Sequence, residues 1–244
     1  MPDASGTSEA SEASEASEAS EAKIVACWRS NAQAWTAAVR ERRIDSRTLV
    51  TDQAIVDAVR SRSPRSVLDI GCGEGWLARA LAASGIVLLG IDVVPGLIAQ
   101  ALAGGGGEFR VASYDQAAAG TLGFTADVAV CNFSLLGKES VETIFAAIAA
   151  LLNTGGAFII QTLHPVVACG EAPYRDGWRE GSWAGFSCDF THPAPWYFRT
   201  LGSWLALFRR HGLKLLELRE PLDPRSQRPA SIIFIAGVTE CAKA

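Results

Sequence analysis

Asp69, Gly71, Gly73 and Gly75 stand at every second position of the stretch Val67-Leu68-Asp69-Ile70-Gly71-Cys72-Gly73-Glu74-Gly75-Trp76-Leu77. Glycines in this density let a backbone come close to a ligand. Unpaired N–H groups at a following helix start would face the same ligand. The spacing is Asp-x-Gly-x-Gly-x-Gly, which differs from the Gly-x-Gly-x-x-Gly of dinucleotide sites. A second carboxylate, Asp92, closes the apolar run Ile86–Ile91. An ionised carboxylate can accept two O–H donors at once, so Asp92 either takes a pair of hydroxyls or caps the next helix.

These residues need a strand before the glycines and a helix after them. Val67–Ile70 is a short apolar run of strand type, and Leu77, Ala80 and Leu81 restart at helical spacing. Ile86–Asp92, Glu108–Ala112, Ala126–Ser134 and Ala157–Leu163 read as further strands. Helical stripes lie between them at Leu97–Leu102 and at Val141, Ile144, Phe145, Ile148, Leu151 and Leu152. This alternation calls for a parallel sheet with right-handed crossovers. Leu213–Leu218 and Ser231–Val238 are apolar enough for two last strands, preceded by a helix that Thr200 could cap and Gly212 could end.

Two regions break the rhythm. Residues 1–22 hold five Ser-Glu-Ala triplets, which cannot bury a core. They read as a solvated tail, disordered or only transiently helical. Residues 23–64 read as a helical cap. Val25, Trp28, Ala32, Trp35 and Val39 lie on one helix face, and Thr51 could cap a second helix. The domain proper then spans 65–244. Within it, 164–199 carries four prolines and the aromatics Trp178, Trp183, Phe186, Phe190, Trp196, Tyr197 and Phe198. That composition suits a lid with an apolar floor beyond the fifth strand, or an ordinary loop anchored on the core.

Composition narrows the function. The chain has 244 residues, 49% of them hydrophobic, enough for one α/β domain with an insertion. The net charge of −4 is set by Asp3, Glu9, Glu12, Glu15, Glu18 and Glu21. Without them 20 acids face 22 bases, and no basic block suggests a nucleic-acid surface. Six cysteines in no C-x-x-C spacing and three scattered histidines imply no metal and suit a reducing cytoplasm. No apolar run reaches the roughly 18 residues of a membrane span.

The glycine stretch with its leading acid and Asp92 closely resembles motif I of class I S-adenosylmethionine-dependent methyltransferases. The His164-Pro165, Tyr197-Phe198-Arg199-Thr200 and Glu220-Pro221 elements are similar to those of small-molecule methyltransferases of the methyltransferase-11 type. The resemblance covers about residues 65–240. It implies a Rossmann-like, mostly parallel seven-stranded α/β sheet with helices on both faces and an antiparallel edge hairpin. The implied cofactor is S-adenosyl-L-methionine, held by Asp69, Gly71, Cys72, Gly73 and Gly75. Asp92 would grip its ribose, with Val93 on the adenine face and Tyr114 and Asp115 near the adenine amino group. Asn132, Phe133 and Ser134 resemble motif IV and would line the methyl site. They depart from the Asn-Pro-Pro-Tyr pattern of nucleic-acid amino methylases, which points to a small-molecule acceptor. Arg47 either joins a solvated arginine face or meets the carboxylate of the cofactor's methionine moiety or of a substrate.

His164 is the candidate base, if the acceptor must lose a proton, or a structural histidine of the Pro165 turn. Trp178, Trp183, His192, Tyr197 and Arg199 are candidates for shaping the acceptor pocket. Two other readings stay open: a catalytically idle scaffold that keeps the fold, and a nicotinamide oxidoreductase, which the glycine spacing disfavours. The acceptor and the oligomeric state are not encoded in any motif.

Overall fold

The structure is a computed structural model that describes residues 5–82, 84–186 and 189–239, with side chains from residue 14 onward. Cys188, Cys241 and the first four residues of the expected tail lie outside the described residues. Helices are α1 (Ser5–Arg40), α2 (Asp52–Arg60), α3 (Trp76–Ala82), α4 (Pro95–Gly104), α5 (Tyr114–Ala118), α6 (Glu139–Leu151), α7 (Pro165–Ala168) and α8 (Leu201–Arg210). Strands are β1 (Ser66–Ile70), β2 (Val87–Asp92), β3 (Glu108–Val111), β4 (Ala126–Asn132), β5 (Leu152–Thr162), β6 (Gly177–Arg179), β7 (Trp196–Phe198), β8 (Leu213–Arg219) and β9 (Ile232–Val238).

Seven strands form one sheet in the order β3-β2-β1-β4-β5-β9-β8, and β6 and β7 form a separate pair. β1 to β5 run parallel, while β9 is antiparallel to both β5 and β8. The strand order reverses between β1 and β4, so the carboxyl ends of those strands open a crevice. Burial alternates along the strands as a two-sided sheet requires. Leu68, Ile70, Ala129, Cys131, Phe158 and Ile160 pack with α6 and α8. Val67, Val128, Val130, Ala157 and Ile159 pack with α2, α3 and α4 on the other face. Phe145 centres the first face, edge-on to Phe158 at 5.4 Å and to Phe208 at 5.1 Å. Thr200 caps α8 through Ser203 N–H, and Gly212 ends it with φ +65°.

Two sequence expectations change. Ser5–Arg40 form one helix, so the Ser-Glu-Ala repeat runs on into the cap instead of standing apart as a loose tail. The reason is tertiary. Ser17 is buried and donates to Glu139 Oε2 at 2.5 Å. One turn on, Glu21 Oε1 accepts from the N–H groups of Lys138 (2.7 Å) and Ser140 (3.1 Å). The start of α6 has no side-chain cap of its own, and the carboxylate satisfies its orphan donors. Thr51 caps nothing, because it ends a π-helical turn, Arg47–Thr51, that runs directly into α2.

The insertion is fastened to α1. Buried Asn31 donates through Nδ2 to the Thr191 carbonyl at 2.8 Å and accepts from the Thr191 N–H at 2.8 Å. Beside it, Trp28 meets Trp35 and Trp183 edge-on at 5.1 and 5.9 Å. Asn31→Ala is expected to loosen this seat by about 1–3 kcal/mol, the cost of leaving buried polar partners unmade. Hydrogen exchange at the Thr191 amide should then accelerate about tenfold or more, with β1–β5 unaffected. Unchanged exchange at Thr191 would remove Asn31 as the fastener.

Candidate functional site

At the end of β1 the chain turns under β2. The N–H groups of Gly71 and Cys72 both donate to the Ile91 carbonyl, at 2.8 and 2.9 Å. Gly71 has φ +78°, and a Cβ there would overlap the Ser134 side chain. Gly73 donates its N–H to Asp92 Oδ2 at 3.0 Å, and Val94 donates to Oδ1 at 2.9 Å. Asp92 therefore ties the glycine loop to the start of α4. Asp69 lies buried beneath. Burial first, then the negative charge of Asp92, pushes its carboxyl up from an ordinary 3.8 to about 7. Burial also raises Asp92, against the N–H groups of Val94, Gly73 and Val93. The Cys72 side chain turns away from the crevice, toward Gly90, and only its backbone shapes the loop.

The cap roofs this loop. The indole Nε1 of Trp35 lies 3.5 Å from the Cβ position of Gly73. The Arg47 guanidinium carbon sits 4.6 Å from the Trp76 ring centre and 5.4 Å from that of Trp35. Its Nε donates to Asp52 Oδ1 at 2.9 Å, while one terminal nitrogen, Nη2, is buried with no hydrogen-bond partner. Thr51 Oγ1, one turn along the same π-helical segment, is likewise buried and unpartnered. Two orphaned polar donors on one turn, beside a glycine loop, are chemically suited to an anionic group with acceptor oxygens. Glu74, fully buried, takes Arg40 Nε at 3.0 Å and Arg79 Nη2 at 2.5 Å, and so locks α1 and α3 to the loop. Sequence reasoning gave Trp35 and Thr51 only helix roles and assigned none to Trp76 and Glu74. A carboxylate inside an otherwise apolar glycine stretch was the one available signal for Glu74.

The end of β4 knits to the same loop. Ser134 Oγ donates to the Ile70 carbonyl at 2.7 Å, and Tyr114 OH donates to the Ser134 carbonyl at 2.9 Å. Phe133 adopts φ +54°, and its N–H reaches the Gln161 carbonyl at 2.8 Å. Gln161 Nε2 donates to Asn132 Oδ1 at 2.7 Å and to the Thr51 carbonyl at 3.0 Å, which joins β4, β5 and the π-helical turn. Asp115 is exposed in the first turn of α5, and Val93 is half-buried beside Asp92.

The candidates beyond β5 divide. His164 is 7% exposed and starts α7. Its Nε2 lies 2.7 Å from Glu220 Oε1, and its Nδ1 is buried and unpartnered. His164 also lines a cavity of about 470 Å³ with Leu163, Val167, Arg179, Ser182 and Trp196. Trp178 pairs with Tyr197 across β6 and β7, with ring centres 5.5 Å apart. Arg199, by contrast, is committed to structure. Nη1 and Nη2 donate to the carbonyls of Gly137 (2.8 Å) and Lys138 (2.9 Å), and the guanidinium lies over Tyr197 and Trp204. The Ser134 hydroxyl is spent on β1, Trp183 packs into the α1 cluster with Phe186 and Phe190, and His192 is exposed at φ +46°. These four do not converge on the cavity: Arg199, Ser134 and Trp183 are engaged in contacts that hold their own segments in place, and His192 lies on the surface.

The family model described as a methyltransferase domain matches residues 40–218. A ubiquinone biosynthesis O-methyltransferase of Xanthomonas axonopodis pv. citri is 33% identical over 103 residues, 40% of this chain and 43% of that protein. A malonyl-[acyl-carrier protein] O-methyltransferase of Hahella chejuensis is 28% identical over 114 residues, 46% of this chain and 41% of that protein. The matches thus span less than half the length of these curated relatives. The crystal structure of an S-adenosylmethionine-dependent methyltransferase from Mesorhizobium loti is 25% identical, with a TM-score of 0.56 over 74% of this chain and 95% of that one.

The buried acid under the loop makes a measurable demand on stability. Between 3.8 and about 7 the folded chain holds a proton on Asp69 that the unfolded chain has released. The folded state binds more protons there, so this group lowers stability as pH rises through that window, and the loss is complete above about 7. Asp69→Asn is expected to remove this component. Urea midpoints of the variant should fall less than those of the wild type across the same window. Parallel pH dependence in both proteins would contradict it.

Proposed function

The chain belongs to the methyltransferase-domain family, class I and S-adenosylmethionine-dependent, and from that premise we propose that it methylates a small-molecule acceptor by in-line displacement. One observation carries the cofactor's placement: Arg47 Nη2 and Thr51 Oγ1 are buried without partners beside the glycine loop. In this reading Arg47 and Thr51 receive the carboxylate of the methionine moiety, and Trp35 and Trp76 hold the guanidinium flat. The backbone of Gly71–Gly75 cradles the amino-acid end, and the buried carboxyl of Asp69 favours a cation above it. Asp92 takes the ribose hydroxyls, exchanging its bond to Gly73 N–H or sharing it. Val93, Tyr114 and Asp115 border the adenine. Asn132 and Phe133, locked by Gln161, border the methyl side.

When bound, S-adenosyl-L-methionine supplies a methyl group already made electrophilic by its positive sulfur. What remains for the chain is alignment and exclusion of water. α1 and the insertion close over the crevice as one apolar roof, through Trp28, Trp35, Trp183 and Phe186. The acceptor enters from the insertion side, where the cavity at His164 and Trp196 lies beyond the carboxyl end of β5. Trp178 and Tyr197 brace the β6–β7 wall of that cavity. Buried, unpaired thiols at Cys27, Cys72 and Cys131 fit the reducing cytoplasm we propose as its compartment. Among the described residues no helix is long and apolar enough to cross a membrane.

Calorimetry with S-adenosylhomocysteine tests the reading. Arg47→Met should weaken binding about 10- to 100-fold, the loss of hydrogen bonds to a charged group, and Asp92→Ala should cost about 1–3 kcal/mol. Failure of the wild type to bind, or tight binding of NAD in its place, would overturn the assignment.

A further inference from the structure

The cavity of about 470 Å³ beyond β5 is lined by a cation, an anion and a hydroxyl, Arg179, Glu180 and Ser182, which the methyl-transfer reading leaves without a role. Consecutive side chains of an extended strand point to opposite faces. Arg179 ends β6 and Glu180 follows it outside the strand, so both can reach the same cavity. Register places the first of them. Arg179 stands directly across from Trp196 of β7, so guanidinium and indole share one face of the β6–β7 pair. Gly181 places the others. A Cβ there would overlap the Ala194 carbonyl, so the backbone between Glu180 and Ser182 lies flat against that segment.

Opposite charges on neighbouring residues would ordinarily meet, and these do not. Arg179 Nη2 donates to the carbonyls of Pro173 at 2.6 Å and Arg175 at 3.3 Å, and the guanidinium carbon lies 4.9 Å from the Phe198 ring centre. These groups orient the cation and leave its charge uncompensated. Its Nε and Nη1 make no hydrogen bond among the described residues. Glu180 has neither a hydrogen bond nor an ion pair among the described residues. Ser182 Oγ accepts the Ala184 N–H at 3.0 Å, so its own hydrogen is left to donate. A guanidinium with a hydroxyl hydrogen beside it suits a carboxylate, and an unpaired carboxylate suits an ammonium. A purely anionic ligand would meet Arg179 but be repelled by Glu180, and a purely cationic one the reverse. A ligand with both charges satisfies both. The rest of the wall, Leu163, Val167, Ala168, Trp196 and Ala230, offers an apolar seat for its body.

We propose that Arg179 and Glu180 select the methyl acceptor, and that this acceptor is a zwitterion: an amino acid, or a small molecule that carries a carboxylate and an ammonium on an apolar body. This selection rests on the methyl-transfer reading above. Arg179 and Ser182 take the carboxylate, and Glu180 takes the ammonium.

Three compounds with one body separate the charges. Phenylalanine carries both, 3-phenylpropionate lacks the ammonium, and phenethylamine lacks the carboxylate. Binding of each is measured by calorimetry on the full chain, with and without S-adenosylhomocysteine. Phenylalanine is expected to bind at least about tenfold more tightly than either analogue, the size of a charged hydrogen bond lost. Arg179→Met should erase the preference over phenethylamine and keep that over 3-phenylpropionate. Glu180→Gln should do the opposite. A folded variant that weakens all three compounds alike marks a residue that only shapes the cavity, and overturns its selecting role. A wild type that binds either analogue as tightly as phenylalanine, or binds none of the three, overturns the proposal without any variant, even where Arg179→Met does not fold. Failure of the wild type to bind S-adenosylhomocysteine while phenylalanine still binds would strike the methyltransferase reading and not the zwitterion site.

Discussion

The site depends on one carboxylate at the end of one strand. Asp92 accepts the Gly73 N–H with one oxygen and the Val94 N–H with the other, so the glycine loop and the start of α4 share a single anchor. Without it, three glycines at positive φ would have little to select one loop conformation, since glycine gives up more backbone entropy than any other residue. The same carboxylate, half-buried and close to Asp69, raises its neighbour's affinity for a proton. The loop is thus held by a group whose charge is itself costly in that place. That tension is what a cationic ligand above it would relieve.

The second constraint is the length of α1. Along one helix Glu21 caps α6, Asn31 fastens the insertion, Trp35 covers Gly73 and Arg40 reaches buried Glu74. Each contact is with a different part of the domain. A helix that spans all four makes the cap a structural member of the crevice. It also explains why a Ser-Glu-Ala repeat with no hydrophobic face is drawn into order at its end nearest the domain. Ser17 and Glu21 lie one turn apart on one face and meet polar groups that α6 leaves open.

The insertion shows how buried polar atoms separate residues that hold the fold from residues left for chemistry. Arg199 is buried with both terminal nitrogens bonded to carbonyls, and Ser134 spends its hydroxyl on Ile70. Arg47 and His164 are buried too, yet each keeps one nitrogen without a partner. Desolvating a polar atom and leaving it unpaired is unfavourable, so the exceptions mark places where something outside the chain completes the set. By this measure the crevice has one such place at the π-helical turn and one past β5, while His211 Nε2, also buried without a hydrogen-bond partner, lies apart from them beside Phe145.

The sequence by itself determined the cradle, the alternation of strands and helices, the two-faced sheet and the aromatic insertion. Those are local patterns: glycine spacing, period-two and helical-period hydrophobicity, and capping residues such as Thr200 all act within a few residues of chain. Only the tertiary structure decided which polar side chains are free. Arg47 and Arg199 look alike in sequence, as do His164 and His192. Their roles part because distant segments supply carbonyls to one arginine and withhold a partner from the other. The same kind of long-range contact brings Glu220 to His164 and leaves His192 on the surface. Desolvation and long-range pairing are properties of the packed molecule, and no window of neighbouring residues contains them.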